Sequence, residues 1–210
     1  MKKYNIIIGI FLFIGFPTLF WAVGDFPRRT FLKETISILT LLAFSMIMAQ
    51  LFLARSNSKM LKDYKMSWII KLHKILGYIF VSVLMLHPFL IVVPRYFEAG
   101  VEPMEAFITI LSTYNNTGVL LGIIAWSLML ILGLTSLIRK KIGIKYKTWR
   151  VFHGILAVLF ICIASWHAID LGRHTDTAMS VFILIIAGSG VLLLINTYLL
   201  KRKKSIKSNG

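Results

Sequence analysis

KLHKILGYIFVSVLMLHPF, residues 71–89, decides the fold. Between its two histidines only Lys74, Gly77, Tyr78 and Ser82 interrupt a solidly apolar stretch. The alternation of a membrane β-strand is missing, and the apolar run extends to about residues 68–93. A run of roughly 20 apolar residues is long enough to cross a bilayer as a helix. His73 and His87 lie fourteen positions apart. At about 100° per residue, fourteen residues return to within roughly 40° of the starting face and rise about 21 Å. This span therefore shows two imidazoles on one face, one near each edge of the membrane.

A second stretch repeats the pattern. WRVFHGILAVLFICIASWHAI, residues 149–169, places His153 and His167 at the same spacing. The faces between the ligands match as well: His73, Gly77, Phe80, Leu84, His87 on one helix and His153, Ala157, Phe160, Ala164, His167 on the other. Each has a small residue four positions after the first histidine and a phenylalanine seven after it. Small residues let a flat group approach the backbone, although ordinary close packing of membrane helices uses them too.

Further runs lie at about 5–23, 31–54, 118–138 and 178–200. With the two histidine helices they make six spans in a chain of 210 residues that is 58% hydrophobic. The expected fold is an all-α bundle of six transmembrane helices. The first run, behind Lys2 and Lys3, is too long for a signal peptide and lacks a clean cleavage site, so it reads as an uncleaved helix. Residues 104–116 suit a short interfacial helix. The expected organisation is a first span in 1–26, a histidine-bearing core of helices two to five in 27–170, a sixth span in 171–200, and a basic, frayed tail in 201–210. The single cysteine, Cys162, excludes an internal disulfide and reads as a small packing residue.

Charge orients the bundle. Of 24 basic residues, 19 fall on the side of the two termini, with one acid, Asp63; the other side carries five basic residues and seven acids. The formal +16 thus divides into +18 and −2. The positive-inside rule puts both termini in the cytoplasm of a multi-pass cell-membrane protein. That distribution accounts for the basic excess without nucleic acid, and membrane lipid is the first partner.

Both histidine helices then enter from the cytoplasm and run parallel. His73 faces His153 near the inner edge, and His87 faces His167 near the outer edge. Ionisable residues within a membrane are functional candidates by default. Two facing imidazole pairs suit two bis-histidine haems, whose irons have no open position and favour electron transfer. Phe80 and Phe160 would lie midway between them. Arg55, Lys74 and Arg150 at the inner edge, and Arg29, Arg95 and Arg173 at the outer, are candidates to meet haem propionates. Pro88, directly after His87, is expected to kink its helix and set the angle of that ligand. His174 reads as a solvated loop residue.

The paired H-x13-H in helices three and five, with RRTFL (28–32), LARS (53–56), KLHKILGY (71–78) and WRVFHG to WHAI (149–169), resembles the ferric reductase-like transmembrane domain. That superfamily includes ferric reductases, the membrane cores of NADPH oxidases and the haem subunit of the periplasmic methionine sulfoxide reductase system. The similarity covers about residues 27–170. It implies that His73, His87, His153 and His167 ligate two b haems and that electrons move outward from the cytoplasm. Full-length ferric reductases continue into a flavin and nicotinamide domain. This chain runs ten residues past the sixth apolar stretch and has no Gly-rich phosphate loop, so it is expected to borrow its electrons. The donor would be a cytoplasmic flavin reductase carrying FAD or FMN, or a quinol. The acceptor would be ferric iron, a periplasmic or extracellular reductase, or oxygen. The alternatives are a cytochrome b561-like quinol oxidoreductase and a non-redox transporter or zinc-binding membrane protein.

Overall fold

In lipid every backbone N–H and C=O must be satisfied within the segment, so apolar runs of this length become helices. The computed structural model describes residues 2–27, 29–54 and 57–207, and among these there is no strand. The elements are α1 (Lys2–Ile10), a π-helical turn (Phe11–Gly15), α2 (Phe16–Val23), α3 (Phe31–Ala49), α4 (Ser58–Asp63), α5 (Met66–Ala99), α6 (Pro103–Ser112), α7 (Thr117–Leu137), α8 (Tyr146–Leu171) and α9 (Thr177–Lys207). Six stretches are long and apolar enough to cross a membrane: Tyr4–Val23, Phe31–Ala49, Met66–Ala99, Thr117–Leu137, Tyr146–Leu171 and Thr177–Asn196. The chain is a six-helix, multi-pass membrane protein.

Local chemistry marks the helix ends. Thr30 caps α3 by accepting from the Lys33 amide, and Asn116 caps α7 by accepting from the Val119 amide at 3.0 Å. Gly100, with φ of 66°, ends α5 in the left-handed conformation that favours glycine. In the first span the π-turn precedes Pro17, and Phe16 N–H reaches back to the Phe11 carbonyl. A widened turn there fits a residue that has no N–H to donate. Thr40, Ser82, Ser127 and Ser136 donate their hydroxyl protons to the carbonyl four residues back. This hides a polar group inside the helix that bears it.

The packing places the histidines. α5 packs chiefly on α3, and α8 chiefly on α7. The two histidine helices thus each have an antiparallel neighbour, while their own facing surfaces stay apart. α9 and the first span close the outside against α3 and α8. The core contains Phe44, Met48, Leu84, Met129, Phe160, Ile161 and Ile183. α5 begins at Met66 and α8 at Tyr146, so each has its first histidine seven residues in. The two helices start level, and their histidines stand at matching heights. At about 1.5 Å per residue, the 34 residues of α5 exceed the thickness of a hydrocarbon core, and its ends project beyond it.

Three expectations change. The third span continues to Ala99, through Pro88 and Pro94, rather than ending near residue 93. Trp126 Nε1 donates to the Met85 carbonyl at 3.1 Å, just before Pro88, so α7 reaches across and supports the helix at that point. Cys162 lies on the outer surface of the bundle instead of packing within it. The C-terminal segment holds helix as far as Lys207, because no proline or glycine interrupts a run of good helix formers.

Candidate functional site

His73 and His153 come together near the ends at which α5 and α8 begin. Their ring centroids are 6.4 Å apart and the rings are inclined by 67°. Two metal–nitrogen bonds of about 2 Å, with half an imidazole on each side, give roughly 6.3 Å between ring centres. The separation therefore suits one iron between the two rings. Fourteen residues along the same two helices stand His87 and His167. All four rings are partly buried.

The second ring nitrogen of each histidine explains its orientation. His167 Nδ1 lies 2.8 Å from the Gly118 carbonyl, which can only accept, so this nitrogen carries the proton. His87 Nδ1 meets Thr40 Oγ1 at 3.4 Å, and His153 Nδ1 meets Ser136 Oγ at 3.3 Å. Each of these hydroxyls already donates its proton to the carbonyl four residues back, Ile36 at 2.8 Å and Leu132 at 2.7 Å. Each must therefore accept from the imidazole. His73 Nδ1 is buried beside the Gln50 backbone carbonyl without closing to hydrogen-bond geometry. In three of the four histidines the proton is thus placed on Nδ1 and the Nε2 lone pair is free. Metal-bound histidines show the same arrangement, in which an outer partner fixes tautomer and ring plane.

These partners come from α3 and α7, which carry no histidine. α7 runs antiparallel to α8. Ser136 meets His153 and Gly122 abuts His167, so the two contacts are fourteen residues apart on both helices. Sequence reasoning missed Thr40, Gln50, Gly118, Gly122 and Ser136. A serine, a threonine or a glycine in an apolar helix gives no signal until the register between helices is known.

Open space lies beside Gly77 on α5. A Cβ built on Gly77 would meet nothing within 4 Å. On the α8 side Trp149 stacks on His153 at 5.0 Å and 27°, and its indole nitrogen is buried without a partner among the described residues. Arg139 lies 4.5 Å from the centre of the Tyr146 ring and 5.1 Å from that of Trp149. A cation and stacked rings therefore lead from the end of α7 to His153. Among the described residues no group of three or more His, Cys, Asp or Glu gathers as a metal site. The facing rings of His73 and His153 fit a haem held between them.

The remaining candidates are distributed more widely. Phe160 is buried and Phe80 packs partly buried against the same core cluster. Arg150 is partly buried three positions before His153, while Lys74 and Arg95 are exposed. Arg55 lies outside the described residues. At the opposite end Arg29 Nε pairs with Glu34 Oε1 at 2.7 Å, and Arg173 donates to the Pro27 carbonyl at 2.9 Å.

His174 is not a solvated loop residue. It is only 7% exposed, with Nε2 2.8 Å from Glu34 Oε2 and its ring against Trp21 and Phe26. The neighbouring Arg173 and Asp176 made its loop look wet, but Trp21, Phe26 and Glu34 cover it. Burial holds its imidazole below the usual range, although Glu34 beside it pulls the other way. Nearby, Lys33 pairs with Glu98 at 2.5 Å and Thr30 donates to the same carboxylate, tying α3 to the end of α5.

No solved structure matches the chain. An uncharacterised protein of Archaeoglobus fulgidus is 40% identical over 174 residues, covering 82% of this chain and 94% of the relative. Residues 39–164 match the family described as "Ferric reductase like transmembrane component". That region takes in most of α3, all of α5 and α7, and α8 as far as Ala164. A family model that matches more than half of the chain, and a relative alike over most of its length, lead to one conclusion: the chain belongs to the ferric reductase-like transmembrane component family.

Proposed function

We propose that this chain carries electrons across the membrane through two bis-histidine b haems. Membership of its family points to transmembrane electron transfer. The finer reading rests on one observation: His73 and His153 face each other at 6.4 Å, on helices that start level. When bound, two b haems supply one-electron reduction and reoxidation at two depths in the bilayer.

The chain's own residues place and tune those groups. His73 and His153 hold the inner haem, and His87 and His167 the outer. Ser136, Thr40 and Gly118 keep the Nδ1 protons in place, which leaves Nε2 to the iron. Phe80 and Phe160 exclude water from the layer between the sites. Arg150 answers propionate charge at the inner edge. Arg29 does so at the outer edge with its terminal nitrogens, since Nε is held by Glu34.

The positive-inside rule places the basic end, with both termini, in the cytoplasm. The donor is a cytoplasmic flavoprotein bearing FAD or FMN, or a quinol. The acceptor is ferric iron or a periplasmic reductase. One observation favours quinol. The side-chain amide of Gln50, whose backbone carbonyl adjoins His73, is buried with neither its oxygen nor its nitrogen partnered among the described residues. A buried amide of that kind gains from a polar ligand.

An absorption spectrum of the purified protein tests the reading. The expected result is b-type bands that sharpen on reduction, with two haems per chain. His153→Ala and His167→Ala should each leave one haem. A protein without such bands overturns the proposal. In liposomes, reduction by a flavin reductase or by quinol identifies the donor.

A further inference from the structure

We infer that Gly122 is a positioning residue for the outer haem: α7 seats the His167 ring by presenting no side chain at 122 and the Gly118 carbonyl one turn away. This rests on the reading of His167 as a haem ligand. A Cβ built on Gly122 would lie 2.6 Å from His167 Cε1, 2.8 Å from Nδ1 and 3.2 Å from Nε2. All three nearest atoms belong to the imidazole. The same ring is held one turn away on α7 by the 2.8 Å bond from Nδ1 to the Gly118 carbonyl. Two residues of one helix face thus set both the plane of the ring and the position of its proton.

Close packing of backbones is the usual reason for glycines four apart in a membrane helix. It does not account for position 122, where the conflict is with a side-chain ring and not with the α8 backbone. Gly133 on the same helix supplies the contrast. A Cβ there would meet only Val81 Cγ1, at an ordinary 3.7 Å. Glycine is a poor helix former, so an interior position that tolerates no other residue needs a local cause. At 122 the cause is the ring.

A methyl group at 122 would swing the imidazole, break the bond to Gly118 and change the angle at which Nε2 meets the iron. Nothing near His73 or His153 would move. The perturbation should therefore appear at one haem of the two.

The test compares wild type, Gly122→Ala and Gly133→Ala, purified with haem, by low-temperature electron paramagnetic resonance and redox titration. In Gly122→Ala one of the two low-spin ferric signals should shift or fall by at least half, and one midpoint potential should move. The other signal and potential should stay as in wild type, and Gly133→Ala should preserve both. Two unchanged signals in Gly122→Ala overturn the inference, as does loss of both together, which marks a fold defect. If Gly122→Ala does not accumulate, wild type still decides. Pulsed resonance on histidine-labelled protein should find an exchangeable Nδ1 proton on an outer ligand, and its absence refutes the seat. Wild type without haem would instead refute the functional reading, before any variant is made.

Discussion

Gly77 offers the sharpest test of the space between α5 and α8. It stands one turn after His73 on the same face, and a Cβ there would meet nothing within 4 Å. Two substitutions separate the ways in which that space can be used. Gly77→Ala adds a methyl group to open room and removes a helix-weakening glycine, so the fold should gain up to about 1 kcal/mol. Gly77→Leu sends a side chain roughly 4 Å beyond Cα, about one van der Waals contact into the gap. A macrocycle there would have to be displaced or tilted. Overpacking of a filled site costs about 1–3 kcal/mol, which corresponds to roughly 5- to 150-fold weaker retention of the inner haem. The assay is the ratio of haem to protein after purification, alongside circular dichroism for the helix. The expected result is an intact helix, a ratio falling towards one in Gly77→Leu, and a ratio of two in Gly77→Ala. Should Gly77→Leu retain both haems, Gly77 faces lipid and the gap is not where the macrocycle lies.

Other consequences are smaller and separable. Ser136→Ala and Thr40→Val each remove a hydroxyl that accepts from an Nδ1 proton, leaving that proton unpaired at a cost of about 1–3 kcal/mol. With a less basic imidazole, the midpoint potential should rise at the inner haem in the first variant and at the outer in the second, as read by redox titration. Trp149→Leu removes the ring stacked on His153, worth about 0.5–1.5 kcal/mol, and should broaden the inner haem's resonance signal while sparing the outer. Burial holds His174 below its unfolded value, so the neutral form is the stabilising one. Its contribution is complete above the unfolded pKa of about 6.5 and is lost as pH falls through the folded value. Thermal unfolding in detergent should therefore show wild type weakening on acidification more than His174→Gln. Equal slopes would refute that assignment.

The six spans and the two histidine pairs were legible in sequence because both depend on short-range regularities. A bilayer demands long apolar runs, and fourteen residues nearly complete four helical turns. Matching heights were also legible, since charge made α5 and α8 parallel. The outer partners of the histidines were not. Ser136 and Gly118 matter only because of how α7 registers against α8, and that register is a tertiary property of side-chain packing. The burial of His174 was hidden for a similar reason. Its loop contains Arg173 and Asp176, but Trp21, Phe26 and Glu34, which cover it, come from more than a hundred residues away in the chain.

The register itself has a consequence for the design of the site. α8 offers its histidines fourteen residues apart, and α7, running the other way, offers Ser136 and Gly122 at the same interval. α3 does the corresponding work for α5, with Thr40 at His87 and the Gln50 carbonyl at His73. Each facing pair thus has one imidazole turned towards a hydroxyl and one towards a backbone carbonyl. Neither brace carries a histidine, yet α7 sets two tautomers and α3 one, so three of the four imidazoles are oriented from outside the histidine helices. The family match begins within α3 and runs through α7 into α8. Two helices present the histidines and two brace them, and the first span and α9 pack around that group.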